Sequence, residues 1–374
     1  MSFWGNETSV RFPNLGIELD GLPRGFEVGS FRIAFYGLII AIGMVAGIVL
    51  ACKRAKKLGH NPDVYLDLAL WAIPLCVVGA RLYSVAFEWD YYKNNLSQIF
   101  NLRNGGLAIY GGIIVAFITA VVYCKIRKYN FALVADTGVP SLILGQIIGR
   151  WGNFFNREAF GKFTNNLFAM QIDVTDGGLS SYFKPSYPAE LVAAAYDGKP
   201  DALANIMEIR NNVVTLADGR QFIQVQPTFL YESVWNILIL AIMLWATKRK
   251  KFNGEIMLMY LSGYALGRFF IEGLRTDQLF LWNSGIAVSQ LLSGILFICS
   301  TAVLIFLRHR AVKTGKDWTE AIATVSVFPE KKSGSFFSKK EETPAKKAVD
   351  EAVKTIMAAE EAESRAEANN EKAE

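Results

Sequence analysis

The sequence predicts an all-α polytopic membrane protein with seven transmembrane helices. Its 374 residues are 52% hydrophobic, with a mean hydropathy of +0.25, and yet 20% of them are charged. Such a composition requires the charges to be segregated from long apolar runs, as they are in polytopic membrane proteins. The net charge of +5 falls in short basic clusters between those runs, so the basic residues are not a sign of nucleic-acid binding.

Seven segments have roughly the 20 mostly apolar residues that a helix needs to cross the hydrocarbon core. They run approximately over residues 32–52, 64–87, 106–124, 131–150, 228–246, 254–272 and 286–307. Each is expected to be helical, because lipid offers no partner to free backbone groups. Four helices thus lie within residues 32–150 and three within residues 228–307.

Basic residues predict the orientation, because they accumulate on the cytoplasmic side of a membrane. They follow the first, third, fifth and seventh segments, as KRAKK at 53–57, KIRK at 125–128, KRKK at 248–251 and RHR at 308–310. The N-terminus is therefore predicted outside and the C-terminus in the cytoplasm. Residues 1–31 are an external segment whose acidic residues, prolines and glycines do not suit a cleavable signal peptide.

Two further regions lie outside the predicted spans. In the connection over residues 151–227, apolar and polar residues alternate as in short strands within NNLFAMQIDV and NNVVTLADGRQFIQV. One or two short helices are predicted between these two stretches. We expect it to fold as a small external cap between the fourth and fifth helices. Residues 308–374 form a charged cytoplasmic tail, rich in Ala, Glu and Lys, which is expected to be disordered or a lone solvated helix.

No metal site, cofactor or disulfide framework is predicted. The four cysteines, Cys52, Cys76, Cys124 and Cys299, lie in or beside apolar segments without paired spacing. The two histidines, His60 and His309, flank cytoplasmic helix ends.

Polar residues, together with a pair of glycines, gather where several helices reach the outer side. They are Arg81, Gly105, Gly106, Tyr110, Arg150, Asn153, Asn156, Glu158, Gln226, Tyr231 and Glu232. In the sixth helix Tyr264, Arg268, Glu272 and Arg275 are spaced by four, four and three, and so stack on one face. A charge as deep as that of Arg268 is costly unless it faces a bundle interior with a partner or ligand.

A purely structural role is the competing interpretation. Arg268 and Glu272 could form an i,i+4 ion pair, Arg150 could snorkel to the interface, and the paired glycines could serve tight packing, as we assign GMVAG at 43–47. The concentration of arginines toward one leaflet, with no comparable set expected at the cytoplasmic ends, favours a function. Arginine suits a lipid phosphate, Asn and Tyr suit glycerol hydroxyls, and Gly105 and Gly106 would let the backbone approach a ligand.

The stretch GRWGNFFNREAFG, residues 149–161, closely resembles the signature of the prolipoprotein diacylglyceryl transferases, G-R-x-G-N-F-x-N-x-E-x-x-G. The resemblance extends in family order to FRIAFYGLIIAIG, GARLY, GGLAIYGG, QPTFLYES, GRFFIEGLRTD and GIAVSQLLS. It covers residues 30 to 307 or so, whereas the external insert and the tail match poorly.

This resemblance implies a seven-helix enzyme of the bacterial plasma membrane that needs no cofactor and acts toward the outer leaflet. Its implied reaction transfers the diacylglyceryl group of phosphatidylglycerol to the lipobox cysteine of a prolipoprotein, forming a thioether and releasing glycerol phosphate. By motif position, Arg150 matches the arginine that grips the phosphate and Arg268 the second essential arginine. Substrate-binding roles are implied for Tyr36, Asn153, Glu158, Gly161, Tyr264 and Glu272. We expect a monomer.

Tyr110 departs from the family pattern. Many members have GGxxxHG where this chain has GGLAIYGG, and the histidine is proposed to be the base that takes the thiol proton. A tyrosine ordinarily ionises near pH 10 and is a poor base at neutral pH. Either nearby arginines favour its ionised form, or Tyr110 only orients the thiol, or a carboxylate such as Glu272 or Glu158 takes the proton.

A membrane transporter for an anionic substrate is the alternative from another class, because charged residues inside helices also mark substrate pathways. Against it, seven helices do not divide into matched halves, and charges confined to one side give no route through the membrane. An intramembrane protease is not indicated, since the sequence has no GxSG-type serine with a helical histidine.

Overall fold

The computed structural model describes residues 2–4, 8–29, 31–101, 105–175, 179, 181–280 and 287–315. Their α-helices are α1 (Phe35–Lys57), α2 (Asp63–Phe87), α3 (Trp89–Tyr92), α4 (Ile109–Ile126), α5 (Phe131–Asn156), α6 (Ala189–Ala195), α7 (Pro200–Asn211), α8 (Thr228–Thr247), α9 (Glu255–Glu272) and α10 (Val288–Thr314). Each of the seven predicted segments contains a helix.

Among the described residues, six helices are long and apolar enough to cross a membrane, namely α1, α2, α4, α5, α8 and α10. The structure is therefore consistent with the predicted polytopic membrane protein and supplies six candidate spans. The helix at the sixth predicted segment, α9, has 18 residues but contains Glu255, Arg268 and Glu272. Its composition alone does not establish that it crosses the membrane.

The fourth long helix, α5, extends six residues beyond its predicted end at residue 150. The side chain of Asn130 caps its start by accepting hydrogen bonds from the amides of Ala132 and Leu133. The helix ends where Arg157 adopts a left-handed conformation, with φ of 54°. Most of the signature stretch is thus helical, and Arg150 lies inside a helix. The last helix likewise continues to Thr314, and the predicted tail beyond residue 315 lies outside the described residues.

Two small sheets accompany the helices, so the protein is mostly helical and the prediction of an all-α chain is wrong in this respect. The strands are β1 (Ser2–Trp4), β2 (Val10–Phe12), β3 (Ile17–Leu19), β4 (Gly25–Val28), β5 (Phe31–Ala34), β6 (Met170–Asp173), β7 (Val214–Thr215) and β8 (Gln221–Val225). They form antiparallel sheets of order β1-β4-β5 and β3-β2-β6-β8-β7.

The second sheet joins two distant parts of the chain. Strands β6 to β8 and helices α6 and α7 occur where the pattern of residues 151–227 predicted strands and helices, but β2 and β3 come from the N-terminal segment, where no strand was predicted. The register pairs Val10 with Ile172 and Met170 with Val225. The N-terminal segment and the insert therefore lie at the same end of the helices.

A continuous hydrophobic core fastens this sheet to the end of α5. It includes the fully buried Val10, Ile172 and Ile223, together with Phe154 from α5. The guanidinium of Arg157 is buried beside them and donates hydrogen bonds to the backbone carbonyls of Thr8, Leu22 and Phe155. This packing holds the end of α5 rigidly at the base of the sheet.

Among the membrane-length helices, α5 is central and packs against α1, α8 and α9, while α2 pairs with α4 and α10 with α9. Glycines allow the close approach of α1, as predicted for GMVAG. A Cβ on Gly43 would lie 3.2 Å from the carbonyl oxygen of Gly145, and one on Gly47 would lie 3.0 Å from that of Ser141.

The end opposite to the sheets carries its own buried charges, which corrects the expectation that no comparable set exists there. The carboxylate of Asp136 accepts hydrogen bonds from the amides of Gly254 and Met257 and pairs with Lys250 at 3.2 Å. Arg54 donates to the carbonyl oxygen of Thr137 at 3.1 Å. These groups satisfy one another and cap the start of α9, which identifies them as structural.

Candidate functional site

Three long helices bring ionised side chains together at the end where the sheets lie. Arg150 precedes the end of α5 by six residues, Glu232 follows the start of α8 by four, and Arg268 precedes the end of α9 by four. At a rise of 1.5 Å per residue, each lies about 6–9 Å below its helix end. The three side chains therefore lie at a common depth. We call Arg150, Glu232, Arg268 and Glu272 the arginine cluster.

The carboxylate of Glu232 lies between the two arginines. Its Oε1 is 2.7 Å from Nη2 of Arg150 and 3.6 Å from Nη1 of Arg268. Arg268 also pairs with Glu272, with 2.6 Å between Nη2 and Oε2. The two glutamate side chains are only 4–5% exposed, and the arginines about 20%. The structural i,i+4 pair therefore exists, but it belongs to a larger group.

These ion pairs are close but poorly aligned. Oε1 of Glu232, Nη1 of Arg268 and Oε2 of Glu272 are buried and have no hydrogen-bond partner among the described residues. The acidic groups at the opposite end differ, because both oxygens of Asp136 accept aligned hydrogen bonds. Buried polar groups of native proteins are normally satisfied. The one unsatisfied donor of the cluster, Nη1 of Arg268, can therefore still bind an acceptor such as an anion, whereas the two carboxylate oxygens lack aligned donors.

The segment after α9 adds a second ion pair beside the cluster. Arg275 lies 3.9 Å from Glu272 and forms two hydrogen bonds with the carboxylate of Asp277. Burial alone would raise the pKa of Asp277, but the hydrogen bonds and charge of Arg275 outweigh it and hold that pKa below the ordinary aspartate value. The pair is therefore ionised at neutral pH.

Gly161 positions this segment instead of lying in the cluster. It forms an isolated bridge with Arg275, and its amide donates to the carbonyl oxygen of Gln226 at 2.9 Å. A Cβ here would lie 2.8 Å from the Cβ of Gln226 and 3.0 Å from the carbonyl oxygen of Leu274. The signature glycine thus allows three backbone segments to meet.

The other predicted binding residues lie around Arg150. The hydroxyl of Tyr264 lies close enough to Arg150 to interact with its charge. The ring of Tyr264 stacks on that of Tyr260, with 5.7 Å between the ring centroids. Tyr36 lies near both Arg150 and Glu158, which is exposed at the rim. The side chain of Asn153, one turn above Arg150 and partly exposed, makes no hydrogen bond within the described part of the chain. These groups could surround the polar part of a ligand at Arg150.

Tyr110, Gly105 and Gly106 belong to a different part of the fold, the pair of α2 and α4. Tyr110 is partly buried near the start of α4, where its ring centroid is 6.4 Å from that of Tyr83. Gly105 is exposed and has a φ of 82°, a left-handed backbone conformation that glycine adopts without strain. No hydrogen bond, ion pair or ring contact within the described residues joins these three residues to the arginine cluster.

Arg81 explains why Gly106 is glycine. Its buried guanidinium donates hydrogen bonds to the carbonyl oxygens of Gly105 and Gly106, at 2.8 and 2.7 Å, and to the hydroxyl of Tyr92 at 3.0 Å. A Cβ on Gly106, where φ is 71°, would lie 2.4 Å from Nη1 of Arg81. This arginine therefore holds backbone and is not a further anion site.

No group of three His, Cys, Asp or Glu side chains that could hold a metal ion occurs in the described residues. The four cysteines are free. His60 is buried and its Nδ1 lies 3.0 Å from the hydroxyl of Thr137, at the end opposite to the arginine cluster.

The sequence places Glu232 among the polar residues of the outer side, but it does not reveal its central position. The signal was present, because QPTFLYES places a carboxylate near the start of an apolar helix, and an ionisable residue at that depth indicates a functional site. Its partners come from segments more than 30 residues away on both sides, so the sequence did not reveal that this side chain lies between two arginines.

Comparison with known proteins identifies the family. The family model described as prolipoprotein diacylglyceryl transferase matches residues 23–306. The chain is 39% identical over 288 residues to a phosphatidylglycerol–prolipoprotein diacylglyceryl transferase of Listeria monocytogenes serotype 4b, covering 77% of this chain and 90% of that protein. A protein of the same name from Bacillus licheniformis is 36% identical over 288 residues, which cover 77% of this chain and 93% of that protein. Another, from Finegoldia magna, is 38% identical over 290 residues, which cover 77% of this chain and 97% of that protein. With its signature arginine in the cluster, the chain belongs to the prolipoprotein diacylglyceryl transferase family.

Proposed function

We propose that this protein transfers the diacylglyceryl group of phosphatidylglycerol to the cysteine thiol of a prolipoprotein. As the thiol proton passes to a base, the sulfur attacks the carbon that joins the diacylated glycerol to the phosphate. The carbon–sulfur bond of the thioether forms, the carbon–oxygen bond to the phosphate breaks, and glycerol phosphate leaves. The observation that carries the proposal is the pair of arginines from α5 and α9, which share the carboxylate of Glu232 and of which Arg268 keeps an unsatisfied donor, in a member of this family.

Arg150 and Arg268 would hold the lipid phosphate and stabilise the charge that develops on it as the bond breaks. Guanidinium groups bind phosphate through two prongs, and donors fixed in a site sheltered from water act more strongly than in water. Asn153, Tyr36 and Tyr264 lie around Arg150 and would bind the glycerol hydroxyls. Arg275 is already engaged by Asp277 and would contribute mainly to the positive field.

The direct test is transfer of radiolabelled lipid from phosphatidylglycerol to a lipobox peptide by the purified protein in detergent, without an ion gradient. We expect labelled peptide with a stable thioether, and none when the peptide cysteine is replaced by serine. Uptake of an anion into vesicles without any labelled peptide would instead favour the transporter. The structure offers no observation for that alternative, since the charges at the opposite end are satisfied by their own partners.

The site is proposed to face the outer leaflet of the bacterial plasma membrane, with α9 as the seventh span. The four basic clusters support this orientation, and so does the sheet that joins the N-terminal segment to the insert, because both must then lie on one side.

Cysteine labelling tests this topology. In a chain whose four native cysteines are replaced, a single cysteine at the exposed position of Asn165 should react with an impermeant maleimide in intact cells, because the insert is outside. A single cysteine at exposed Lys56 should react only after the cells are permeabilised. Labelling of the Lys56 position in intact cells would reverse the proposed orientation.

The position of Tyr110 favours a contact role over a role as the base. Tyr110→Phe keeps the ring that lies near Tyr83 and removes only the hydroxyl. We therefore expect a loss of transfer far smaller than the roughly 10²- to 10⁴-fold typical of a removed proton acceptor. The measurement is kcat with a lipobox peptide, with Tyr83→Phe as the matched control. A hundredfold loss in Tyr110→Phe alone, with unchanged lipid binding, would make Tyr110 the base.

A further inference from the structure

One face of the first sheet, β1-β4-β5, consists of apolar side chains. The register pairs Phe3 with Phe26 and Phe26 with Ile33. It also pairs Val28 with Phe31. Directly paired residues, and residues two apart on one strand, share a face of the sheet, so these five side chains lie together. All but Phe26 are large exposed side chains, with between 38% and 67% of their surface accessible. A contiguous apolar face of this kind marks a surface that contacts another apolar body.

The opposite face of the same sheet carries charges. Glu27 and Arg32 pair across β4 and β5, with 2.8 Å between Oε1 and Nε. The guanidinium of Arg32 lies over the ring of Trp4, 5.8 Å from its centroid, and the side chain of Arg32 is largely exposed. The sheet therefore has one face suited to water and one suited to an apolar environment. Such two-sided elements lie at the boundary between the two.

The length of α1 places this sheet at the edge of the hydrocarbon core. Strand β5 ends at Ala34 and α1 begins at Phe35, so no linker separates the sheet from the helix. The first charged residue of α1 is the exposed Lys53, near its other end. A hydrocarbon core of about 30 Å is crossed by about 20 helical residues, at a rise of about 1.5 Å each. Counted back from Lys53, the core ends at about residue 33, within β5.

Ring contacts fix the sheet against the helices. The ring centroid of Phe26 is 5.9 Å from that of Phe35, which in turn is 5.2 Å from that of Phe155 in α5. Below Phe35, exposed apolar side chains continue along α1 at every third or fourth position, at Leu38, Ile42, Val45 and Val49. Such a stripe on a helix long enough to cross a membrane faces lipid. The apolar face of the sheet thus continues, along the chain, into a lipid-facing surface.

A second copy of the chain fits this face less well than lipid does. Three strands about 4.8 Å apart, with four residues of about 3.4 Å each, make a face of roughly 200 Å². A stable protein–protein interface buries about 800 Å² on each partner. The face is too small to hold a dimer by itself, whereas lipid covers an apolar surface of any size.

We propose that the apolar face of the first sheet is inserted into the membrane, against acyl chains just below the lipid headgroups. The leaflet is the one opposite to the basic end of α1, which is the outer leaflet in the proposed orientation. The inference requires α1 to span the membrane and is independent of the reaction that the protein catalyses. Insertion holds the start of α1, and with it Tyr36 near Arg150, at the depth of the headgroups.

Spin labels on the two faces of the sheet test this insertion. In a chain whose four native cysteines are replaced, a nitroxide is attached to Val28→Cys on the apolar face or, as the matched control, to Arg32→Cys on the charged face. The protein is placed in vesicles of phosphatidylcholine and phosphatidylglycerol. Electron paramagnetic resonance then measures how often each label collides with oxygen, which concentrates in lipid, and with a nickel chelate, which stays in water. We expect the label at position 28 to be several-fold less accessible to nickel, and more accessible to oxygen, than the label at position 32.

A charge on the apolar face should reverse the result. Phe31→Glu should raise the nickel accessibility of the label at position 28 toward that of the control, whereas Phe31→Leu should leave it unchanged. Equal nickel accessibility of the two labels without any change at Phe31 would overturn the inference, whether or not the Phe31→Glu protein folds. A label at position 28 shielded from both reagents would overturn it as well, and dipolar broadening between labels would then identify a second copy as the occupant.

Discussion

Replacement of Arg268 or Arg150 by lysine is expected to lower the rate of diacylglyceryl transfer by about 10²- to 10³-fold, the effect typical of losing one preorganised donor to a developing anion. Lysine keeps the positive charge but presents a single ammonium group, which cannot reproduce a two-pronged grip on phosphate. Each arginine also pairs with Glu232, so a compact ammonium would leave that carboxylate less well neutralised.

The measurement is kcat/KM with phosphatidylglycerol and a lipobox peptide, at equal amounts of folded protein. Arg220→Lys is the matched control, because Arg220 is paired with Asp20 and Asp218 at the exposed edge of the second sheet and should tolerate the change. Wild-type turnover in Arg268→Lys would reduce that arginine to the structural partner of Glu272, the interpretation that its i,i+4 spacing also allows.

The second large effect concerns stability and the opposite end of the helices. Asp136→Ala should lower the free energy of unfolding in detergent by about 3 kcal/mol. The substitution leaves two backbone amides without a hydrogen-bond acceptor and a partly buried lysine without its ion-pair partner. The carboxylate is 3% exposed and accepts from the amides of Gly254 and Met257 at 2.9 and 3.0 Å. Asp136→Asn should cost less, because the amide oxygen still accepts from one of them.

Asp67→Ala is the control for this change. Asp67 pairs with Arg127 at 3.3 Å, but both side chains are about 30% exposed, and such pairs contribute roughly 0–1 kcal/mol. Equal destabilisation by Asp67→Ala and Asp136→Ala would show that the buried network does not hold α9. The rate of transfer per folded molecule should stay unchanged in both variants, because neither residue lies near the arginine cluster.

Hydropathy and motif spacing predicted much of this protein. The apolar segments alone placed a helix at each of seven positions, because a chain in lipid has no alternative partner for its backbone. The signature stretch identified Arg150, and the spacing of Tyr264, Arg268 and Glu272 on one helical face identified the second arginine and its partner. The alternation of apolar and polar residues within residues 151–227 also predicted the positions of strands β6 and β8. These are local patterns, and each is visible within a few turns of chain.

Only the tertiary structure decided which of these groups meet. Val10 pairs with Ile172 across more than 160 residues, and neither sequence pattern specifies that register. Tyr110 lies in a family motif, at the position where this chain departs from it, and packs with the pair of α2 and α4. Glu232, to which the motifs gave no role, lies between the arginines. The reason is that a buried charge is stabilised by whichever partners the packing of α5, α8 and α9 brings within a few ångströms, and that distance depends on three helices at once.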